Sequence, residues 1–510
     1  MHADIIIRNA RCLTMKDHQT ADWIAIKNGK IMELGQGKDY LTLAGSSSVI
    51  MDAGGATVLP GFIDSHFHLV QTAVNRNGID LREVKNFEEI GRKIVEENKE
   101  NNEGIVAVRL VRENLDEKVF PDRQELDKYC SDIPVWINCL DYQVSMLNTY
   151  GLLYYKIPFR MEGVEMDDKN VATGIFRGKA NAALRTNILN SFSNQRRRNC
   201  IDKLMPKLLS SGITTINAME GGYMYSDKDA EFILENKDDF PVDITLFYQT
   251  MDLDKADQLN LKRVGGSLYV DGTIGAKTAA LSFEYNDMPG HKGSLIFQEN
   301  DLNEFVLECY KRNIQLALYA IGDRAIDMVL DAHEYAQHQT GIVDLRQRVE
   351  HAVLASEQQI KRAANLGLIF TMSPAYELSY GGRDKMYNCR LGEKYKETNK
   401  FREVIDNGVV LCGSSDSDVN DYNPFISIAA AVNHPVAEHS VSIYEALEMY
   451  TCNGAYAIFE EDKKGTLEKG KVADIIVLDR DIINIDTSCI ADTRVLTTIK
   501  NGQILYNSIR

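Results

Sequence analysis

Between residues 55 and 460 the chain keeps one rhythm that few folds accommodate: short apolar, β-branched runs alternate with helical stretches. Strand candidates occur at 58–64, 135–140, 214–219, 243–248, 268–271, 315–320, 348–352, 369–373 and 409–414, and helical candidates at 87–98, 301–311, 325–337, 356–366 and 443–459. Parallel neighbours need a crossover of about a dozen residues, which a helix supplies, so this alternation predicts a parallel sheet covered by helices. Nine candidates against the eight strands of a closed barrel predict that one lies outside the ring. The stretch from about 72 to 200 is too long for a single crossover and predicts an inserted subdomain over the barrel mouth. Within it, Arg196-Arg197-Arg198 reads as a solvated helix face.

Both ends of the chain read differently. Short strands at 4–10, 23–27, 30–34 and 48–52 carry Asn28-Gly29 between the second and third, a hairpin signal because both residues tolerate positive φ. The C-terminal end holds a strand at 472–479, and Ile499-Lys500-Asn501-Gly502 repeats the turn Ile26-Lys27-Asn28-Gly29. The two ends are therefore predicted to fold together as one small β-sandwich, 1–56 with 465–510, around a barrel at 57–464. The fold class expected is α/β, a (β/α)8 TIM barrel with a composite β-sandwich and an inserted subdomain.

Composition narrows the partners. A net charge of -17 over 510 residues offers no basic stripe for nucleic acid. No apolar run reaches the roughly eighteen residues of a membrane span, and the start MHADIIIRNA lacks the basic and apolar regions of a signal peptide, so a cytoplasmic protein is expected. Nine scattered cysteines with no C-x-x-C read as buried small hydrophobes rather than a disulfide framework.

The chemistry gathers at strand ends. His66 and His68 close the first barrel run, and on an extended backbone two residues one apart face the same side. Alone, the pair is either half a metal site or two incidental histidines. His351 ends 348–352 after Glu350, and Asp416 follows the run 409–414, where it reads equally as a ligand or a helix N-cap. Three imidazoles and a carboxylate suit zinc or another borderline divalent ion, which acidifies water and polarises a carbonyl, and Asp416 is then both ligand and base.

Pro60-Gly61-Phe62-Ile63-Asp64-Ser65-His66-Phe67-His68, Gly212-Ile213-Thr214-Thr215, Asp271-Gly272-Thr273-Ile274-Gly275-Ala276-Lys277-Thr278, Ile321-Gly322-Asp323-Arg324-Ala325, Glu350-His351 and Ser415-Asp416 occur in the order seen in the amidohydrolase superfamily. The chain resembles in particular its branch of large, poorly characterised hydrolases that includes formamide deformylases, and the resemblance spans nearly the whole sequence. It departs from that branch at several positions. Tyr319 stands where a histidine precedes Ile-Gly-Asp-Arg, and Ser267 stands in the strand where a carboxylated lysine is expected. Tyr142-Gln143 replaces Gly-His after Cys139-Leu140-Asp141, and Thr173-Gly174 is followed by Gly178 where the pattern has an acid.

With a bridging acid and one imidazole gone, the resemblance implies a single metal, zinc with iron or manganese as alternatives, held by His66, His68, His351 and Asp416. Glu220, directly after 214–219, is the candidate substitute ligand, and Gln143, Tyr319 and the loop Asn433-His434-Pro435 are candidates for the substrate lining. The activity expected is hydrolysis of a non-peptide C-N bond of a small molecule, an amide, cyclic amide or amidine, by metal-activated water. The alternatives are a single-metal deaminase of the same fold and a metal-poor relative that binds a ligand without turning it over. A homodimer is left open.

Overall fold

A computed structural model describes residues 2–99, 103–140, 142–222 and 225–508. Asp141 lies outside the described residues. The chain divides into two compact units, Met1–His68 with Met205–Met219 and Asn236–Arg510, and Leu69–Leu204 with Glu220–Glu235.

The centre of the first unit is an eight-stranded parallel sheet in strict sequence order. Its strands are β1 (Phe62–Phe67), β2 (Ile213–Glu220), β3 (Asp243–Tyr248), β4 (Arg263–Tyr269), β5 (Gln315–Ala320), β6 (Arg348–His351), β7 (Ile369–Met372) and β8 (Val410–Gly413). In β1, β2, β5, β6 and β7 every residue is buried, which is why these runs read as continuously apolar rather than alternating. The ring closes where its first and last strands meet. Phe67 bridges Ser417 in parallel, the Asp416 amide donates to the His66 carbonyl at 3.0 Å, and the His68 amide donates to the Ser417 carbonyl at 2.9 Å. The seam thus joins residues some 350 apart in sequence, and it is the seam that carries the histidine pair and Asp416.

Two expected elements divide. The run 58–64 is two strands, Thr57–Pro60 in a terminal sheet and β1 in the barrel, broken at Gly61. A Cβ at Gly61 would stand 2.3 Å from the Thr214 hydroxyl oxygen, so the chain crosses between sheets where only glycine fits. The helix read at 443–459 is Ile443–Met449 and Cys452–Ala457, interrupted at Thr451, whose ψ of -96° is not helical. The ninth strand candidate is Val135–Cys139, and it pairs outside the barrel in the sheet of the second unit.

The terminal strands form two sheets. Four strands drawn from residues 5–52 make one, and the other orders Gln503–Asn507, Val495–Lys500, Ile475–Leu478, Thr57–Pro60, Arg11–Leu13 and Thr20–Ala21, mixing both ends of the chain. Ile5, Ile7, Ile24, Ile26, Val58, Ile475, Val477 and Ile499 share one buried core. The two Asn-Gly turns are hairpins as read, Lys27 opposite Lys30 and Lys500 opposite Gln503, and they meet back to back. A Cβ on Gly502 would lie 2.6 Å from the Gly29 Cα.

The second unit is built on a six-stranded mixed sheet. The arginine triplet lies here, and its reading as a solvated face is corrected at the middle residue. Arg197 is fully buried, its Nε donating to Asp229 at 2.6 Å and its Nη atoms donating to the carbonyls of Phe192 and Leu189. On a helix, consecutive residues point about 100° apart, so a run of three cannot share one face. The cysteines are all free, but Cys389 is exposed and Cys200, Cys452 and Cys489 are half-buried, so the expectation of burial holds for five of nine. Among the described residues no helix is long and apolar enough to cross a membrane.

Candidate metal centre

Among the described residues, the only group of three or more His, Cys, Asp or Glu side chains with ligand atoms all within 4.8 Å of one another is His66, His68 and Asp416. Asp416 Oδ1 stands 3.2 Å from His68 Nε2 and 3.5 Å from His66 Nε2. All three residues are buried.

The way each ring is held decides which nitrogen faces the centre. His66 Nδ1 lies 2.6 Å from Glu350 Oε2, and His68 Nδ1 lies 3.1 Å from the Met219 carbonyl. Neither acceptor can give a proton, so both Nδ1 atoms carry the hydrogen and both Nε2 lone pairs face Asp416. This is the arrangement that orients a metal-binding imidazole. Glu350 is itself fixed by Arg348, with Nε at 2.8 Å from Oε1 and Nη2 at 3.0 Å from Oε2, and Arg348 Nη2 also donates to the Ser65 carbonyl at 2.5 Å. A buried polar chain thus runs Arg348, Glu350, His66, Asp416.

The protonation states follow from this chain. Burial works against the Asp416 charge, but His68, His66 and His351 around it hold its carboxyl far below the usual carboxylate range. Burial likewise opposes charge on Glu350, and Arg348 and His66 outweigh it, so its pKa is lowered. Burial lowers and Glu350 raises the His66 value, with a net rise. His351 is pushed down to about 4, chiefly by burial, and is neutral at physiological pH.

Backbone strain sits at the same places. Asp416, His351 and Ala352 have φ of 51°, 73° and 47°, a region that side chains with a Cβ rarely occupy, and such residues gather at functional sites. The remaining Oδ2 of Asp416 accepts from the Tyr376 hydroxyl at 2.5 Å. Tyr376 was not foreseen from sequence. It lies on the short helix Ala375–Tyr380 just after β7, where no motif marks it.

Of the other residues singled out, His351 is adjacent to the group without belonging to it: its ring centroid is 5.1 Å from that of His66, and its Nδ1 is buried without a hydrogen bond. Tyr319 is 4% exposed, and its hydroxyl donates to the Gly272 carbonyl at 3.3 Å. Glu220 lies outside the group. Its Oε1 accepts from the Val70 amide at 3.0 Å, and burial with the neighbouring Asp229 raises its pKa well above the ordinary value. Gln143 is exposed at the turn between Val135–Cys139 and Val144–Leu147 in the second unit. The loop Asn433-His434-Pro435, read as a surface loop or pocket lining, carries a buried His434 that packs edge-on against Phe401 at 5.6 Å, its Nδ1 beside the Val436 backbone.

The buried nitrogens His66 Nε2 and His351 Nδ1 make no hydrogen bond, and an unpaired buried polar atom is costly. Two imidazole nitrogens and an ionised carboxylate oxygen are also a donor set for a borderline divalent cation. The residues therefore fit a metal.

Residues 49–506 match the amidohydrolase family. The chain is 25% identical to N-substituted formamide deformylase of Arthrobacter pascens, covering 99% of this chain and 98% of that one. It is equally 25% identical to LONG AFTER FAR-RED 3 of Arabidopsis thaliana, covering 99% and 92%. An uncharacterised metal-dependent hydrolase from Pyrococcus furiosus superposes with a TM-score of 0.80 at 27% identity, covering 94% of this chain and all of that one.

Proposed function

The chain belongs to the amidohydrolase family, and on that premise we propose that it hydrolyses the C-N bond of a small-molecule amide, cyclic amide or amidine at the centre formed by His66, His68 and Asp416. The observation that carries this reading is the convergence of two Nε2 lone pairs on Asp416 Oδ1, each ring locked from behind at Nδ1. The similarity to a formamide deformylase over the full length supports a carbonyl attached to nitrogen as the target.

A divalent ion among these donors supplies a Lewis acid that polarises the substrate and acidifies water, and we take it to be one zinc, with iron or manganese as alternatives. His66, His68 and Asp416 would hold it, and His351, neutral and with an Nδ1 that makes no hydrogen bond, is the fourth ligand candidate. Asp416 is kept ionised and is the base: it accepts the proton of the attacking water as the water oxygen bonds to the carbonyl carbon. The same carboxyl then delivers that proton to the departing nitrogen, so the C-N bond breaks without releasing an amide anion. Tyr376, donating to Oδ2, holds the carboxylate in the plane that leaves its other oxygen directed at the histidines. Barrel enzymes work at this C-terminal edge of the strands, where β1, β6 and β8 bring these side chains together. We read the enzyme as cytoplasmic.

The test is turnover of a panel of formamides, cyclic amides and amidines by wild type and Asp416→Asn, with metal content measured in parallel. Loss of turnover with metal partly retained is expected. Wild-type activity in the variant rejects the assignment, and ammonia as the sole nitrogen product from a ring amidine reassigns the enzyme as a deaminase.

A further inference from the structure

Glu377 is a buried carboxyl that the chemistry above does not use, and it follows Tyr376 directly in the helix Ala375–Tyr380. The helix is six residues long, too short to hold its shape or its place by its own hydrogen bonds, so contacts with the rest of the fold must set both. Its first three residues are buried, whereas Leu378 and Ser379 are exposed and Tyr380 is half-buried. Tyr376 and Glu377 point about 100° apart around the axis, so each meets its own set of partners.

The partners of Glu377 form a cradle shaped for a carboxyl. Its Oε1 accepts from Asn399 Nδ2 at 2.6 Å, and Asn399 is itself fixed by its backbone amide, which donates to the Val353 carbonyl at 2.8 Å, two residues after His351. Asn399 has a φ of 49°, a left-handed conformation that asparagine tolerates better than most residues. On the other side His434 Nε2 stands 3.8 Å from Glu377 Oε2, and neither atom makes a hydrogen bond. Gly381 supplies the room, because a Cβ there would overlap Oε2. Burial pushes the Glu377 pKa up to about 7. An apolar side chain would fill this position without the cost of burying a carboxyl, so packing alone does not account for it.

Two neighbouring residues of one short helix are thus tied to two strand ends of the metal centre. Tyr376 donates to Asp416 after β8, and Glu377 is joined through Asn399 to the turn that follows His351 on β6. We propose that Glu377 is a positioning residue, which fixes the helix Ala375–Tyr380 so that the Tyr376 hydroxyl stays on Asp416 Oδ2. Asn399 is its anchor and Gly381 the space it needs. This rests on the reading of His66, His68 and Asp416 as a metal centre in which Asp416 is the base.

The test is a double-mutant cycle on the full chain between Glu377→Leu and Tyr376→Phe. It is read first as zinc affinity, by competition with a chelator, and then as kcat and KM on the panel of formamides, cyclic amides and amidines. Each single variant is expected to weaken zinc about tenfold, as loss of a partner behind a metal ligand does, and to lower kcat with KM nearly unchanged. The double variant is no worse than Tyr376→Phe alone, to within about twofold, because both substitutions remove one interaction. Glu377→Gln keeps the acceptor for Asn399 and returns zinc affinity to within about twofold of wild type. Effects that multiply in the double variant, or wild-type zinc affinity in Glu377→Leu with an unchanged circular dichroism spectrum, overturn the positioning role. Where Glu377→Leu does not fold, Gly381→Ala, which displaces the carboxyl, takes its place in the cycle with the same expectation. Coupled zinc affinities without turnover of any panel member support the positioning role while the hydrolytic reading fails, and a wild type that binds no zinc overturns both.

Discussion

Glu350→Gln is the substitution that separates the contribution of the buried charge chain to stability from its contribution to metal binding. Glu350 accepts from Arg348 through both oxygens, at 2.8 and 3.0 Å, and from His66 at 2.6 Å, all in a fully buried position. A glutamine keeps the shape and one accepting oxygen but removes the charge, so Arg348 is left as a buried cation with only neutral partners, among them the Ser65 carbonyl and the Phe247 ring, 4.5 Å away. Breaking one partner out of such a pair costs about 3–5 kcal/mol. His66 meanwhile loses the anionic acceptor that fixed its tautomer, which for carboxylates in this position costs roughly 10–100-fold in metal affinity, or about 1.4–2.7 kcal/mol. Urea unfolding of the metal-free protein reads the first quantity, and competition of zinc against a chromophoric chelator reads the second. The double variant Arg348→Met with Glu350→Gln should recover much of the lost stability, because no unpaired charge stays buried, but none of the lost affinity. Equal zinc affinity in wild type and Glu350→Gln would refute the claim that Glu350 orients a metal-binding imidazole.

The same geometry fixes other outcomes. Asp416→Asn should reduce kcat by about 10²–10⁴-fold, the usual contribution of a general base, as measured by steady-state kinetics. Tyr376→Phe removes a hydrogen bond to a charged group, about 1.5–3 kcal/mol, and should lower kcat by roughly one to two orders of magnitude while zinc titration still saturates. His333 is buried with its Nδ1 3.2 Å from the Tyr310 hydroxyl, and burial pushes its pKa from 6.5 down to about 3. Below pH 6.5 the unfolded chain takes up a proton that the folded chain refuses, so the stabilising contribution is complete above that pH and is lost as pH falls toward about 3. At two units below 6.5 the loss is about 2.7 kcal/mol, and His333→Phe should flatten that part of the stability profile in urea titrations. In the second unit, Arg197→Met leaves Asp229 buried and unpaired and should cost about 3–5 kcal/mol by the same assay.

Much of the barrel was legible because a strand covered on both faces announces itself as an unbroken apolar run. The runs at 243–248 and 315–320 coincide with β3 and β5 at both ends. His66, His68 and Asp416 stood out because each closes such a run with a polar residue. What sequence could not convey were features made by distant contact. Gly61 divides a β-branched run only because Thr214 occupies the space a Cβ would need. Arg197 is buried only because Asp229, 32 residues on, neutralises it. Glu350 was noted beside His351, but its task is to hold His66, 284 positions earlier. Tyr376 gave no signal at all, since a six-residue helix with two tyrosines on it has no pattern to single one of them out.

The most direct test is elemental analysis of the full-length protein purified without chelator, with His68→Ala beside it. About one equivalent of zinc, iron or manganese per chain in wild type, sharply reduced in the variant, is the predicted result. Less than about a tenth of an equivalent of any transition metal in wild type, after supplementation with each, would contradict a metal centre at the barrel seam.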